Sequence, residues 1–149
     1  MLNFHKPSID DYGWIHDILY PANLPGADNT FQSMYFWDGY YGEVGLAEGF
    51  VTQHLTQGGA EVYLYPAGAG DERPALEAVL QDARERGGQL RLRGVTPDKR
   101  GTLERLFPGK FEFTSYRDSF DYIYTVEELT ELHGKKLQAK RNHCNRFEA

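Results

Sequence analysis

Basic residues are concentrated at the carboxyl end of this sequence, where their spacing fits one helix. Residues 133–149 carry five Lys and Arg side chains against Glu148, a net charge of +4 with His neutral. The whole chain has a net charge of −6, so the remaining residues carry −10. At 3.6 residues per turn, one broad arc holds a set of basic side chains: Lys135, Lys136, Lys140, His143 and Arg146. Lys and Arg suit phosphate groups, and Arg141 lies nearby in the sequence. We therefore expect these six residues to bind an anion, either tRNA or an anionic lipid headgroup. A solvated helix whose apolar edge docks on a neighbour would explain the same pattern.

A glycine-containing loop is the second place where the sequence could bind an anion. Gly68 and Gly70 lie between a predicted strand and a predicted helix, where backbone N–H groups and the helix dipole favour a phosphate. Tyr65 stands three residues before Gly68, and Asp71 adds a negative charge directly after Gly70. A plain turn from strand to helix is the favoured interpretation, and cofactor binding at Gly68 and Gly70 is the alternative.

Other chemistry has little support in the sequence. The five histidines lack metal-ligand spacing, and a single cysteine, Cys144, cannot complete a site with them, so we expect no metal. The sequence has no G-x-S-x-G elbow and no P-loop. We assign no catalytic residue.

Periodicity and turn residues predict the elements that must position these groups. Helices are predicted where apolar residues recur at helical spacing: 9–19 (ended by Tyr20-Pro21), 30–41, 71–86, 97–107 and 126–149 (broken near Gly134). Strands are predicted where β-branched and aromatic residues are dense: 43–47, 50–55, 61–65, 90–95, 111–114 and 118–124, with a possible first strand at 2–5. For the aromatic stretch 30–41 we favour core packing over an acyl or lipid channel. This order of elements resembles the GNAT acyltransferase fold, an α+β (α/β) architecture with a mixed central sheet flanked by helices.

Composition indicates a globular chain. The 149 residues, 40% of them hydrophobic, suffice for one domain with a core. No apolar run is long enough for a transmembrane segment, and the amino terminus lacks the layout of a signal peptide. With one cysteine, no internal disulfide can form, and we expect a cytoplasmic protein.

Several stretches together resemble one bacterial family, that of the C-terminal domain of phosphatidylglycerol lysyltransferases. The most specific is GKKLQAKRNHCNRF at residues 134–147. Four others agree in order: NTFQSMYFWDGYY at 29–41, VYLYPAGAGD at 62–71, LFPGKFEF at 106–113 and RDSFDYIY at 117–124.

The resemblance implies two GNAT-like halves in tandem, which move an aminoacyl group from charged tRNA to a lipid headgroup. On this basis residues 1–125 are expected to form the N-terminal domain, and the basic helical segment 126–149 leads to a second half, absent here, that holds the principal catalytic residues. The isolated chain is then expected to be inactive, with aminoacyl-tRNA or acyl-coenzyme A as the donor of the complete protein.

Two other functions stay open. The chain could be a non-catalytic binding or assembly module that pairs with a second copy of itself. It could also be a coenzyme A-dependent N-acetyltransferase, although Tyr65 and Asp71 differ from the usual Q/R-x-x-G-x-G/A loop of such enzymes.

Overall fold

The structure, a computed structural model, describes residues 1–148, with backbone only for Tyr41 and Glu148. Two compact units are present, Met1–Phe113 and a second unit that begins at Thr114. The first unit contains a five-stranded sheet: β1 (Phe4–His5), β2 (Glu43–Ala47), β3 (Phe50–Gln57), β4 (Ala60–Leu64) and β5 (Gln89–Arg93). Its helices are α1 (Tyr12–Ala22), α2 (Phe31–Phe36), α3 (Asp38–Tyr41), α4 (Arg73–Arg86) and α5 (Pro97–Leu106). The second unit contains α6 (Val126–Glu131) and α7 (Gln138–Glu148).

The sheet is mixed and its strands follow one another in chain order, β1-β2-β3-β4-β5. The first four strands are antiparallel neighbours, whereas β5 pairs parallel to β4 after the crossover through α4. The β2–β3 turn places Glu48 and Gly49 at φ +48° and +84°, and the backbone twist of such a turn matches that of the two strands. The predicted α+β class with a mixed sheet flanked by helices is confirmed.

Alternation along β2 and β3 divides the core between the two faces of the sheet. Val44 and Val51 pack against α1 and α2, beside Ile15 and Met34. The opposite face packs against α4 through a second buried set: Ala47, Phe50, Tyr63, Ala75, Val79 and Ala83. Helices on both faces therefore hold β3 and β4 rigidly at the centre of the sheet.

Two of the predicted strands are wrong. Residues 111–114 and 118–124 form no strand, and a 3₁₀ turn occupies Arg117–Ser119. A strand needs a hydrogen-bonding neighbour. Within residues 1–148, β5 pairs with β4 alone, so neither segment adds to the sheet beside β5. Phe111 and Phe113 instead pack beside the small core of Tyr65, Leu76 and Leu103, while Tyr122 stays exposed.

The first helix differs from its prediction at both ends. Ile9–Asp11 is a 3₁₀ turn, and α1 continues through Pro21 to Ala22. Pro21 lies in the last turn, and Asn23 at φ +46° then closes the helix with hydrogen bonds to the carbonyls of Leu19 and Tyr20.

Asp11 ties the start of α1 to the preceding segment. Its carboxylate accepts hydrogen bonds from His5 Nε2 at 2.8 Å, the Ser8 backbone at 2.8 Å and Trp14 Nε1 at 2.9 Å. Burial opposes ionisation of Asp11, but these bonds outweigh it and lower the pKa of the carboxyl group to about 2.

Because the pKa of Asp11 is lower in the folded state, its contribution to stability is present above pH 4 and is lost as the pH falls toward 2. We expect Asp11→Asn to lower the free energy of unfolding at pH 7 by roughly 2 kcal/mol and by much less at pH 2. Urea unfolding across this pH range measures the difference. Asp10→Asn, at an exposed neighbour, is the control and should have little effect. An equal loss for Asp11→Asn at both pH values would contradict this account.

Candidate anion-binding sites

The glycine loop begins where β4 and β5 separate. The backbone N–H of Tyr65 donates to the Arg93 carbonyl at 2.9 Å, and this is the last hydrogen bond of the ladder to β5. Ala67 turns toward β3 and exchanges two backbone hydrogen bonds with Val51, at 2.8 and 2.9 Å. A small cleft of about 60 Å³ lies at this end of the sheet. Its walls come from four loops and strand ends: Leu24, Pro25, Asn29, Leu64–Ala67, Gly94, Thr96, Asp98 and Lys99.

Gly68 is held by packing within the protein. A Cβ atom at this position would lie 2.8 Å from Cδ1 of the buried Phe50 ring, closer than real contacts allow. Gly70 has open space around its Cα and a φ of +117°, a conformation that favours glycine. The loop geometry therefore explains both glycines without a ligand, and cofactor binding at Gly68 and Gly70 stays a prediction.

The amino terminus of α4 beside this loop is occupied by side chains of the protein. Asp71 Oδ1 accepts from the Arg73 N–H at 3.1 Å, and α4 begins at Arg73 with Glu72 as its N-cap residue, two residues later than the predicted helix 71–86. Glu72 also accepts from Tyr65 Oη at 2.5 Å and forms an ion pair with Lys99. Two carboxylates here repel a pyrophosphate and use donors that a phosphate would need.

Tyr65, Glu72 and Lys99 form a cluster that the sequence did not indicate, because Tyr65 follows β4, Glu72 caps α4 and Lys99 lies on α5. Burial, reinforced by the Glu72 carboxylate, raises the pKa of Tyr65 far above its usual range. The phenol therefore stays protonated and donates to Glu72, while Lys99 lies 5.5 Å from the centre of the Tyr65 ring. The cluster fixes α4 against α5 at one wall of the cleft.

The second unit carries the predicted basic segment. Thr125 and Glu128 form a reciprocal capping box at the start of α6, Gly134 at φ +79° breaks the helix as predicted, and a 3₁₀ turn at Lys135–Leu137 precedes α7. Five of the predicted anion-binding side chains are exposed: Lys135, Lys136, Lys140, His143 and Arg146.

Lys136 and Lys140 come together on one aromatic ring. Their Nζ atoms lie 5.7 and 5.0 Å from the centre of the Tyr124 ring, within cation–π range. Lys136 also borders a shallow acidic pocket that includes Glu127, Glu128 and Glu131. Of this pair, Lys140 is therefore the better placed to receive a phosphate.

Arg141 is not part of this face. Its Nη1 donates to the backbone carbonyls of Leu132 and Gly134, the latter at 2.9 Å, and the side chain is half-buried. The arginine therefore caps the carboxyl end of α6, where orphan carbonyls accept cations. Its predicted role as a phosphate contact is untested, and its carbonyl bonds leave it fewer free donors.

The aromatic stretch 30–41 is only partly in the core. Phe31 and Met34 are buried, as predicted, but the exposed fractions of Phe36, Trp37 and Tyr40 are 73%, 66% and 61%. The prediction of core packing is therefore wrong for these three rings. Each of the short helices 31–36 and 38–41 can turn only one face toward the sheet, so the rings on its other face stay exposed.

No cluster of His, Cys, Asp and Glu suited to a metal ion is found in residues 1–148. The longest helix in this range, α4, has 14 residues, and none of the helices there could cross a bilayer. Cys144 is exposed on α7.

Comparison with known proteins identifies the family of this chain. The profile described as "Phosphatidylglycerol lysyltransferase, C-terminal" matches residues 22–149. The chain belongs to this family. A solved structure, a "Conserved Protein of Unknown Function from Bacteroides thetaiotaomicron VPI-5482", has a TM-score of 0.86 and 31% sequence identity over 99% of this chain. This chain covers 50% of that protein, so it spans half of the length of its structural relative. No curated protein gives a significant match.

Gly68 provides a test of whether packing or a ligand requires a glycine in the loop. We expect Gly68→Ala to lower the free energy of unfolding of the ligand-free chain by about 1–3 kcal/mol, because the new methyl group collides with Phe50. Gly101→Ala, in α5 with open space around it, is the matched control and should be neutral or stabilising. Equal stability of Gly68→Ala and the native chain would show that packing does not need this glycine.

Proposed function

We propose that this chain is the N-terminal half of an aminoacyl or acyl transferase. In this proposal residues 1–125 form one GNAT-like domain, and 126–149 lead to a second GNAT-like half that supplies the catalytic residues. Membership of the lysyltransferase family and the half-length match to a solved structure support this organisation.

The proposed reaction transfers an aminoacyl group from charged tRNA to the headgroup of a phospholipid. A headgroup hydroxyl attacks the ester carbonyl, a new ester forms, and the ribose hydroxyl of the tRNA leaves with a proton. Both substrates are anionic, and the contribution of this half is to position the donor rather than to provide a nucleophile. We assign no residue of this chain to the chemical step.

The exposed cationic face of the second unit is the observation that carries the donor side of the proposal. Lys140, His143 and Arg146 lie on α7, and Lys135 and Lys136 lie on the turn before it. Compact ammonium groups and a guanidinium can neutralise successive phosphates of a nucleic acid backbone. Binding of this kind releases counterions, so its affinity falls steeply with salt.

A second candidate function is assembly with another copy of the chain. The second unit exposes large apolar side chains, among them Tyr122, Ile123, Val126 and Phe147. Exposed apolar groups in such number mark a contact surface. In the transferase proposal the second GNAT-like half covers it, and in the assembly alternative a second copy does. Sedimentation equilibrium distinguishes the two, since strictly monomeric behaviour at high concentration counts against self-assembly.

A coenzyme A-dependent acetyltransferase has less support. The side chains of Asp71 and Glu72 occupy the end of α4 that would receive the pyrophosphate. Acetyl-coenzyme A should therefore leave the melting temperature of the chain unchanged, whereas a specific ligand of the native state would raise it.

Charge reversal tests the tRNA contact. We expect Lys136→Glu/Lys140→Glu to weaken tRNA binding and to reduce the slope of log K against log salt by about 1.4–1.8, since each lost phosphate contact contributes about 0.7–0.9. Filter binding at several salt concentrations measures both quantities. Arg105→Glu/Lys110→Glu, at exposed positions of the first unit, is the control with the same change in charge. Equal losses in the two double variants would mean that net charge, not this face, determines binding.

A further inference from the structure

The α1–α3 side of the sheet carries a surface that the donor contact does not use. It consists of an aromatic patch, Tyr35, Phe36, Trp37 and Tyr40, and of two arginines of β5, Arg91 and Arg93. Tyr35 and Phe36 contact edge to face, with ring centres 5.2 Å apart. Trp37 is the N-cap residue of α3, and Tyr40 lies within that helix. The two short helices and Trp37 between them thus carry four large rings, three of them largely in solvent.

The strand β5 brings cationic groups to the same side. Leu90 and Leu92 pack into the cores around α4 and α5, so Arg91 and Arg93 point to the opposite side by alternation. The Arg93 guanidinium lies 5.5 Å from the centre of the Tyr40 ring and donates to Gln57 Oε1 at 2.6 Å. Arg93 therefore joins the edge of the sheet to the aromatic patch.

The two arginines bring positive charge to this edge of the sheet. In the described residues neither Arg91 nor Arg93 forms an ion pair with a carboxylate. The nearest acid of α3, Asp38, is paired with Lys6 at 2.8 Å. The surface thus combines exposed aromatic carbon with two arginines at the edge of the sheet.

We propose that this surface docks on an anionic phospholipid bilayer. Trp and Tyr prefer the headgroup region, because their rings are apolar and their N–H or O–H groups are polar, and Phe36 would enter the acyl boundary. Arg91 and Arg93 complement the phosphates of anionic headgroups. The inference rests on the proposed function, in which the acceptor is a lipid of such a bilayer.

The chain carries its own reporter for this contact. It has two tryptophans, of which Trp14 is partly buried and donates to Asp11, whereas the Trp37 indole is 66% exposed. Vesicles of phosphatidylcholine with a quarter phosphatidylglycerol should shift the tryptophan emission to the blue, and vesicles of phosphatidylcholine alone should do so much less. Flotation of the chain with the same two kinds of vesicle measures binding independently.

Two variants separate the charged from the apolar contribution. We expect Arg91→Gln/Arg93→Gln to weaken binding to the phosphatidylglycerol vesicles by about tenfold or more. We expect Phe36→Ser to weaken binding and to reduce the blue shift. Arg84→Gln/Arg105→Gln is the matched control for charge, and Leu129→Ser on α6 of the second unit is the control for an exposed apolar side chain. Both controls should bind as the native chain does.

Three results would overturn the inference. The first is that the chain does not float with either vesicle, or that the controls lose as much binding as the test variants. The second is a blue shift that follows protein concentration without vesicles, which would identify a second copy as the occupant. The third is quenching of Trp37 by tRNA that Arg91→Gln/Arg93→Gln abolishes, which would identify a nucleic acid surface. If the chain does not float but still binds tRNA in a way that depends on Lys140, only the bilayer surface is refuted. If the chain floats but its tRNA binding does not depend on Lys140, only the donor contact is refuted.

Discussion

The parallel pairing of β4 with β5 is the constraint on which the first unit depends. Antiparallel strands can follow one another through tight turns, but a parallel neighbour requires a crossover, here α4. The pairing ends at Tyr65, because the next N–H that could donate to β5, that of Ala67, donates to Val51 of β3 instead. Divergence of the two strands opens the cleft, and the return to β3 places the glycine loop against Phe50.

The same pairing places β5 at the edge of the sheet and determines where charge is exposed. Leucines on one side of β5 complete the cores around α4 and α5, which leaves the alternating arginines on the other side. A charged side chain is also buried between the sheet and a helix, since Asp82 of α4 packs beneath β4. Burial opposes its ionisation, but hydrogen bonds from Arg86, Tyr63 and the Leu2 backbone outweigh this effect and lower the pKa of Asp82. The buried carboxylate of Asp82 is thus tolerated because α4, β4 and the amino-terminal backbone supply its hydrogen-bond partners.

Local sequence rules predicted much of the fold because the relevant signals are short-range. Glu48-Gly49, Gly87 and Thr96-Pro97 determine turns and helix ends through their own backbone preferences, and all three elements are as predicted. Residues 118–124 show where such rules fail, since strand propensity cannot say whether a pairing edge is within reach. The cluster of Tyr65, Glu72 and Lys99 was equally inaccessible, because 27 positions separate Glu72 from Lys99 and no local pattern joins them. Within the basic segment, spacing placed Lys136 and Lys140 together but could not show that Arg141 turns back to the carbonyls of α6.

The contact of Lys136 and Lys140 with Tyr124 has an entropic consequence. A free lysine side chain samples many rotamers, and immobilising one costs up to about 2 kcal/mol. Stacking on a common ring restricts both ammonium groups before any ligand arrives. Part of the ordering that a polyanion would impose is therefore already present in the unbound protein, and association at this face loses less conformational freedom than it would with two lysines that move independently.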